Sequence, residues 1–239
     1  MNDLEILFED NHLLVVNKPA GLATMGTDAG PTVHSLACQY IAEKYAKPGK
    51  VFLGVVHRLD SMSSGVLVLA RTSKSAARLS EQFRKSGEGP RKVYIAVVEG
   101  DVVEPRGLWR DRIVKNEREH RMEAATALAK GGLDAELEYQ VLRRMADGDR
   151  GSLVAVRLMT GRKHQIRVQF ADRGHAILGD VKYDAAPQKF RGIALHAWSL
   201  TIHHPTKATP MTFQSLPTTW GKWLPTGEEV KRLNQADAW

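Results

Sequence analysis

The 239-residue chain carries a formal charge of +7 at pH 7 and a pI near 9.5, a balance that suits an acidic partner such as nucleic acid. Its 43% hydrophobic content is ample for the core of one large domain or two small ones. No apolar window is long enough for a membrane span, the N-terminus is acidic where a secretory leader is basic, and a single cysteine, Cys38, excludes an intrachain disulfide framework, so a reducing, cytoplasmic setting is expected.

In chain order, Glu5 to Phe8 and Leu13 to Asn17 read as short strands joined at Glu9-Asp10-Asn11, the second running into Lys18-Pro19-Ala20-Gly21. Gly26 to Pro31 is a loop. The spacing of Val33, Leu36, Ala37, Tyr40 and Ile41 predicts a helix from Thr32 through Tyr45, with Cys38 in its apolar pattern and Pro48-Gly49 after its end. The apolar run Val51 to Val56 then feeds His57-Arg58-Leu59-Asp60-Ser61-Met62-Ser63-Ser64-Gly65 and a second apolar run to Ala70, which places Asp60 in a turn between two strands. A solvated turn can hold an aspartate for no chemical reason, but one trapped near a core needs a partner or it neutralises.

Thr72-Ser73 caps a predicted helix from Lys74 to Lys85, with Ala76, Leu79 and Phe83 on one side and Lys74, Arg78, Arg84 and Lys85 leaving the other basic. Arg91 to Gly100 is strand-like, with Lys92, Tyr94 and Ala96 on one face and Val93, Ile95 and Val97 on the other, so Tyr94 fits either a core margin or a cleft. From Arg106 to Arg121, six basic and three acidic residues leave a local +3 around Trp109. Two readings of that stretch stand: an RNA contact with Trp109 stacking on an unpaired base, or a solvated hairpin with internal salt bridges and Trp109 turned inward. Ala124 to Lys130 is ambiguous in period. Leu133 to Arg143 and Leu153 to Leu158 read as strands separated by a turn at Gly148 to Ser152. The second strand ends at Thr160-Gly161, and a helix with Ile166 and Phe170 inward begins nearby, its first turn carrying Arg162, Lys163 and Arg167 with free backbone N–H groups that suit an anion. His196, His203 and His204 lack a cysteine partner or a metal-binding helix pattern, so no metal site is expected. The tail from Thr218 is either a packed extension or a mobile terminus.

The Asp60 stretch resembles the HRLD-x-x-(T/S)-S-G signature of the RluA-type pseudouridine synthases, and the resemblance runs from about Leu14 to Trp220. Asn17-Lys18-Pro19 resembles their Asn-Lys-Pro-x-Gly segment, Lys92 to Gly100 their Lys-x-Tyr-x-Ala-x-Val-x-Gly strand, and Thr160 to Gln169 their Thr-Gly-Arg-x-His-Gln-Ile-Arg-Val-His motif. The last histidine of that motif is Gln169 here, which can hydrogen-bond but cannot change charge near neutral pH. Gly179-Asp180 falls in their Pro-Ile-x-Gly-Asp-x-x-Tyr loop, where Asp180 is read as shaping the loop without a catalytic role, and Leu195 to Pro205 resembles their closing strands.

The resemblance implies a single α/β (α+β) catalytic domain over residues 1–239, with 218–239 as a C-terminal extension, built on a bent, largely antiparallel mixed sheet. Few residues precede the matching region, so the small N-terminal RNA-binding domain common in the family is not expected. The implied activity is isomerisation of uridine to pseudouridine in a stem-loop of transfer or ribosomal RNA, without metal or organic cofactor, membrane or protein partner, by a monomer. Asp60 is the implied nucleophile, attacking the sugar C1′ or the base C6. Arg167 pairs with it and keeps it ionised, and Tyr94 packs on the target base and is a candidate for removing its C5 proton. Arg58 fills the stack that the target vacates or braces the loop by a salt bridge, and His57 orients phosphate or loop. Asn17, Lys18, Arg162, Lys163, His164 and Trp109 complete the expected substrate contacts, Lys18 being equally readable as an ordinary turn residue. A catalytically silent RNA-binding protein would share the basic surface but has no need of Asp60, Tyr94 and Arg167, and a glycosidic-bond hydrolase would want a second carboxylate that no motif offers.

Overall fold

A computed structural model describes residues 4–26, 30–85, 89–126, 129, 131–145, 151–207 and 209–235. In chain order its elements are β1 (Glu5–Glu9), β2 (Leu13–Lys18), α1 (Val33–Lys44), β3 (Gly54–Val55), β4 (Ser64–Ala70), α2 (Ser73–Arg84), β5 (Arg91–Glu99) and β6 (Arg106–Asn116). There follow β7 (Arg121–Ala125), β8 (Leu133–Arg144), β9 (Gly151–Leu158), α3 (Gln165–Ala171), β10 (Leu195–His203), β11 (Pro210–Gln214) and α4 (Gly227–Asn234). The chain divides into two compact units, Met1–Arg91 with Ala197–Leu216, and Lys92–His196 with Pro217–Trp239. Each is α+β, with a few helices on a mostly antiparallel sheet.

In the first unit β2 pairs antiparallel with β1 and β4, β3 adds two residues beside β4, and β10 pairs with β11. The alternation of apolar side chains puts Leu13 and Val15 with Val66, Val68 and Ala70 on one buried face, which Leu79 of α2 and Leu200, Ile202 and Phe213 complete. Thr72 caps α2 as expected, its hydroxyl accepting the Ser75 N–H. Gly65 opens β4 at φ 117, and a Cβ there would lie 2.4 Å from the Ala197 carbonyl oxygen and 2.5 Å from its nitrogen. Only glycine lets β4 run this close to β10.

The second unit orders its strands β5-β9-β8-β6-β7. Each of these neighbouring pairs is antiparallel. A small core of Ile113, Met122, Ala135, Val168 and Tyr183 lies where α3 covers the sheet. The chain's tail packs here: Trp220, Trp223 and Leu233 are buried, and α4 opens with a Thr226–Glu229 capping box.

Four local expectations are corrected. The apolar run Val51 to Val56 gives only the two-residue β3, because most of it leads into the Asp60 loop. The strand β9 already begins at Gly151, so the turn expected to last through Ser152 ends earlier, its residues 148–150 lying outside the described residues. The two closing strands are one continuous β10, and β11 follows it where no strand was read. The helix expected to carry Arg162 and Lys163 starts only at Gln165, because His164 adopts a left-handed conformation at φ 54 that breaks the turn before it.

Candidate active site

In the first unit, everything around Asp60 serves to fix its loop. Leu59 is buried, donating its N–H to the Thr24 hydroxyl at 3.3 Å while its carbonyl accepts that hydroxyl's proton at 3.0 Å. On the other side, the Ser61 carbonyl accepts the Gly21 N–H at 2.8 Å and one proton of the Lys18 ammonium at 3.1 Å. The Asp60 carbonyl itself accepts both the N–H and the hydroxyl of Ser63, at 3.2 and 3.0 Å. Asp60 is half-buried, on a backbone anchored before it, at it and after it.

Lys18 has no exposed surface, and its three ammonium protons meet three backbone carbonyls, those of Pro19, Leu22 and Ser61, at 3.0, 2.8 and 3.1 Å. Burial lowers its pKa to about 7, against the attraction of the Asp60 carboxylate, which raises it. The expectation that Lys18 contacts the substrate is therefore corrected: with no surface and every proton engaged, it ties the 19–22 loop to the Asp60 loop. Asn17 likewise spends its amide on Glu5, its cross-strand neighbour, at 2.8 Å.

His57 lies stacked on Phe83 of α2, ring centroids 4.5 Å apart and planes 9° from parallel, and its Nε2 accepts the Val68 N–H at 3.0 Å. That bond and the stacking make it a support for the loop. Arg58 is exposed, with no ion pair among the described residues.

In the second unit, Tyr94 is half-buried on β5 opposite Val156 of β9, on the face it shares with half-buried Lys92, while Val93, Ile95 and Val97 are buried on the other. Arg167 lies on α3, 4% exposed, with its Nε on Asp180 Oδ2 at 2.6 Å and its Nη2 on Oδ1 at 2.7 Å. This bidentate pair orients the guanidinium rigidly, and the Tyr183 ring lies against its face at 5.0 Å. The Tyr183 hydroxyl in turn accepts the Met122 N–H at 3.2 Å and meets His164 Nδ1 at 2.9 Å. Asp180 shapes the loop as read, but it does so as the buried counter-ion of Arg167, a partner that the sequence reading did not name.

The turn before α3 is organised by Gln165, whose side-chain oxygen accepts from the Thr160 hydroxyl at 2.8 Å and the Arg162 N–H at 3.0 Å while its amide donates to the Glu136 carbonyl at 3.0 Å. Arg162 and Lys163 are thereby exposed on a turn and not on a helix end, which removes the expected anion site at a helix N-terminus. Trp109 is also corrected. It packs between Tyr139 and Phe170, with centroids 4.4 and 4.6 Å away, and the Arg173 guanidinium covers it at 4.3 Å, so its faces are occupied by the protein. Arg173 is held there by Asp111 at 3.0 Å, the inward-turned hairpin reading.

Thr24, Ser63, Asp180, Tyr183 and Gln165 are the supporting residues that sequence reasoning missed. Ser63, Gln165, Asp180 and Tyr183 lie within the quoted motifs, but hydroxyl and amide side chains carry no periodic signal that would reveal their partners, and Thr24 lies in no motif at all.

The family model described as RNA pseudouridylate synthase matches residues 12–172. Among curated proteins, the chain is 35% identical over 214 residues to the dual-specificity RNA pseudouridine synthase RluA of Yersinia pestis, covering 87% of this chain and 97% of that one. It is 36% identical over 204 residues to the uncharacterized RNA pseudouridine synthase YhcT of Bacillus subtilis, covering 85% of this chain and 65% of that longer protein. Among solved structures, the human RNA pseudouridylate synthase domain containing 4 superposes with a TM-score of 0.71 at 25% identity, over 88% of this chain and 87% of that one. The human RNA pseudouridylate synthase domain containing 1 shares the fold, with a TM-score of 0.74 at 24% identity, over 97% of this chain and 94% of that one.

Proposed function

The chain belongs to the RNA pseudouridylate synthase family and isomerises uridines in RNA, and from that premise we propose that Asp60 is its nucleophile, Tyr94 packs on the target base, and Arg167 keeps the attacking carboxylate ionised. The observation that carries the reading is the anchoring of Leu59 and Ser61, each held by two hydrogen bonds, so that Asp60 between them starts from one backbone position. A nucleophile fixed in advance spends less free energy reaching attack geometry. Asp60 attacks C1′ as the N1–C1′ bond breaks and uracil departs as its anion, or adds to C6 before that bond breaks; the captive uracil turns, C5 bonds to C1′, the bond to Asp60 breaks to return the carboxylate, the proton on C5 leaves, and N1 ends protonated. A phenol with a pKa near 10 is a weak base at neutral pH, so packing is the primary role given to Tyr94 and proton removal the secondary one.

The substrate in this reading is a stem-loop of transfer or ribosomal RNA. An unpaired loop base is cheaper to swing out of its stack, and exposed Arg58, two residues from Asp60, fills the place it leaves. The name dual-specificity borne by the Yersinia relative fits an enzyme with more than one RNA substrate. The enzyme acts as a cytoplasmic monomer without a metal or organic cofactor.

The test is tritium release from RNA carrying [5-³H]uridine. Asp60→Asn, nearly isosteric, lowers the rate by at least about a thousandfold while RNA affinity stays close to wild type; retention of a tenth of the rate contradicts the assignment. Arg167→Ala costs activity far more than RNA affinity, and equal losses in both sink its proposed role.

A further inference from the structure

We propose that Lys92 and Arg162 form a subsite for one backbone phosphate of the RNA strand, beside Tyr94 on the same face of β5; this deepens the reading above and rests on it. Lys92 pairs with Leu158, the last residue of β9, and the chain then turns back through Met159 and Thr160. A Cβ on Gly161 would lie 3.2 Å from the Lys92 Nζ, so the ammonium lies against this turn and a larger residue at 161 would crowd it. Arg162 is held next to it by its Nε on the Asp134 carbonyl at 3.0 Å and its backbone N–H on Gln165, and the residue is exposed.

Two cations are therefore held near one another at a half-buried place. Among the described residues Lys92 has no hydrogen-bond or ion-pair partner. The carboxylates that the adjoining strand β8 could offer are engaged elsewhere, Asp134 by Arg112, Glu136 by Arg110 and Glu138 by Arg157. Burial foremost, and then the neighbouring charge of Arg162, lower the pKa of Lys92. A phosphate supplies the missing negative charge and accepts from an ammonium and a guanidinium together. Lys92 and Tyr94 are two residues apart on one strand, about 7 Å, a span that the sugar and phosphate of a single nucleotide cover. A base packed on Tyr94 thus brings a neighbouring phosphate to Lys92.

The experiment uses one stem-loop RNA that the wild type converts, with neutral methylphosphonate replacing a single linkage at a time around the target uridine. Wild type, Lys92→Met, Lys92→Arg and Arg162→Gln are compared. One neutral linkage raises the wild-type KM by about tenfold. Lys92→Met shows a similar rise on the unmodified RNA, the same linkage has no further effect on it, and Lys92→Arg restores the sensitivity. The loss falls on KM more than on kcat. Sensitivity of Lys92→Met to every linkage equal to that of wild type overturns the subsite while leaving the enzyme reading intact. A wild type that forms no pseudouridine in any RNA overturns both.

Discussion

Lys18 shows how one residue can carry a cost that its position requires. Its folded pKa of about 7 is depressed by burial from an ordinary value near 10.4, so between those pH values the unfolded chain binds a proton that the folded chain has released. The sign follows: the residue's contribution to folding stability is present above the unfolded value and is lost as pH falls through the folded one. Urea unfolding of wild type between pH 7 and 10 therefore carries a component rising by about 1 kcal/mol per pH unit, and Lys18→Met removes it. Lys18→Met also leaves three carbonyls without a donor, so its stability drops at every pH and the Asp60 loop loosens. The Arg167–Asp180 pair makes a second prediction at this scale. Both side chains are nearly fully buried, so Asp180→Ala takes the bidentate carboxylate away from a buried guanidinium and destabilises the fold by about 3 to 5 kcal/mol in denaturant titration, with Asp180→Asn less damaging. A loss below 1 kcal/mol for the alanine variant would contradict the geometry.

At the scale of elements, the sequence declares its periodic parts and hides its joints. The helices α1 and α2 lie within a residue or two of where apolar spacing and the Thr72 cap predict them, and β2, β4, β5, β8 and β9 lie where apolar runs, β-branched residues or alternation predict strands. The start of α3 was not legible, because a left-handed histidine is a conformational fact with no composition signal, and β11 was not legible because Pro210 at its start and its alternately exposed residues read as loop. The site was legible as far as its motifs go: Asp60, Tyr94 and Arg167 stand on elements of the expected type, whereas Thr24 and Asp180 act across loops that sequence leaves unordered. Gly65 tests the element scale directly. Alanine there adds a methyl within 2.4 Å of backbone at a φ that disfavours it, so Gly65→Ala destabilises the first unit by about 3 kcal/mol or fails to accumulate. A wild-type denaturation midpoint for this variant would mean that β4 and β10 are less closely packed than they are here.

For the molecule as a whole, a charge of +7 and an RNA substrate imply binding governed by phosphates. Affinity for a converted stem-loop falls by about a hundredfold between about 50 and 200 mM salt, read from binding isotherms, and a flat dependence would argue against a basic RNA-binding surface. The central claim is that this chain makes pseudouridine with Asp60. Its most direct test maps pseudouridine at single-nucleotide resolution in unmodified transfer and ribosomal RNA after incubation with wild type and with Asp60→Ala. Wild type forms sites in one or a few stem-loops, and these are absent with Asp60→Ala. The same sites formed by both proteins would contradict the assignment of the nucleophile, and none formed by either would contradict the activity itself.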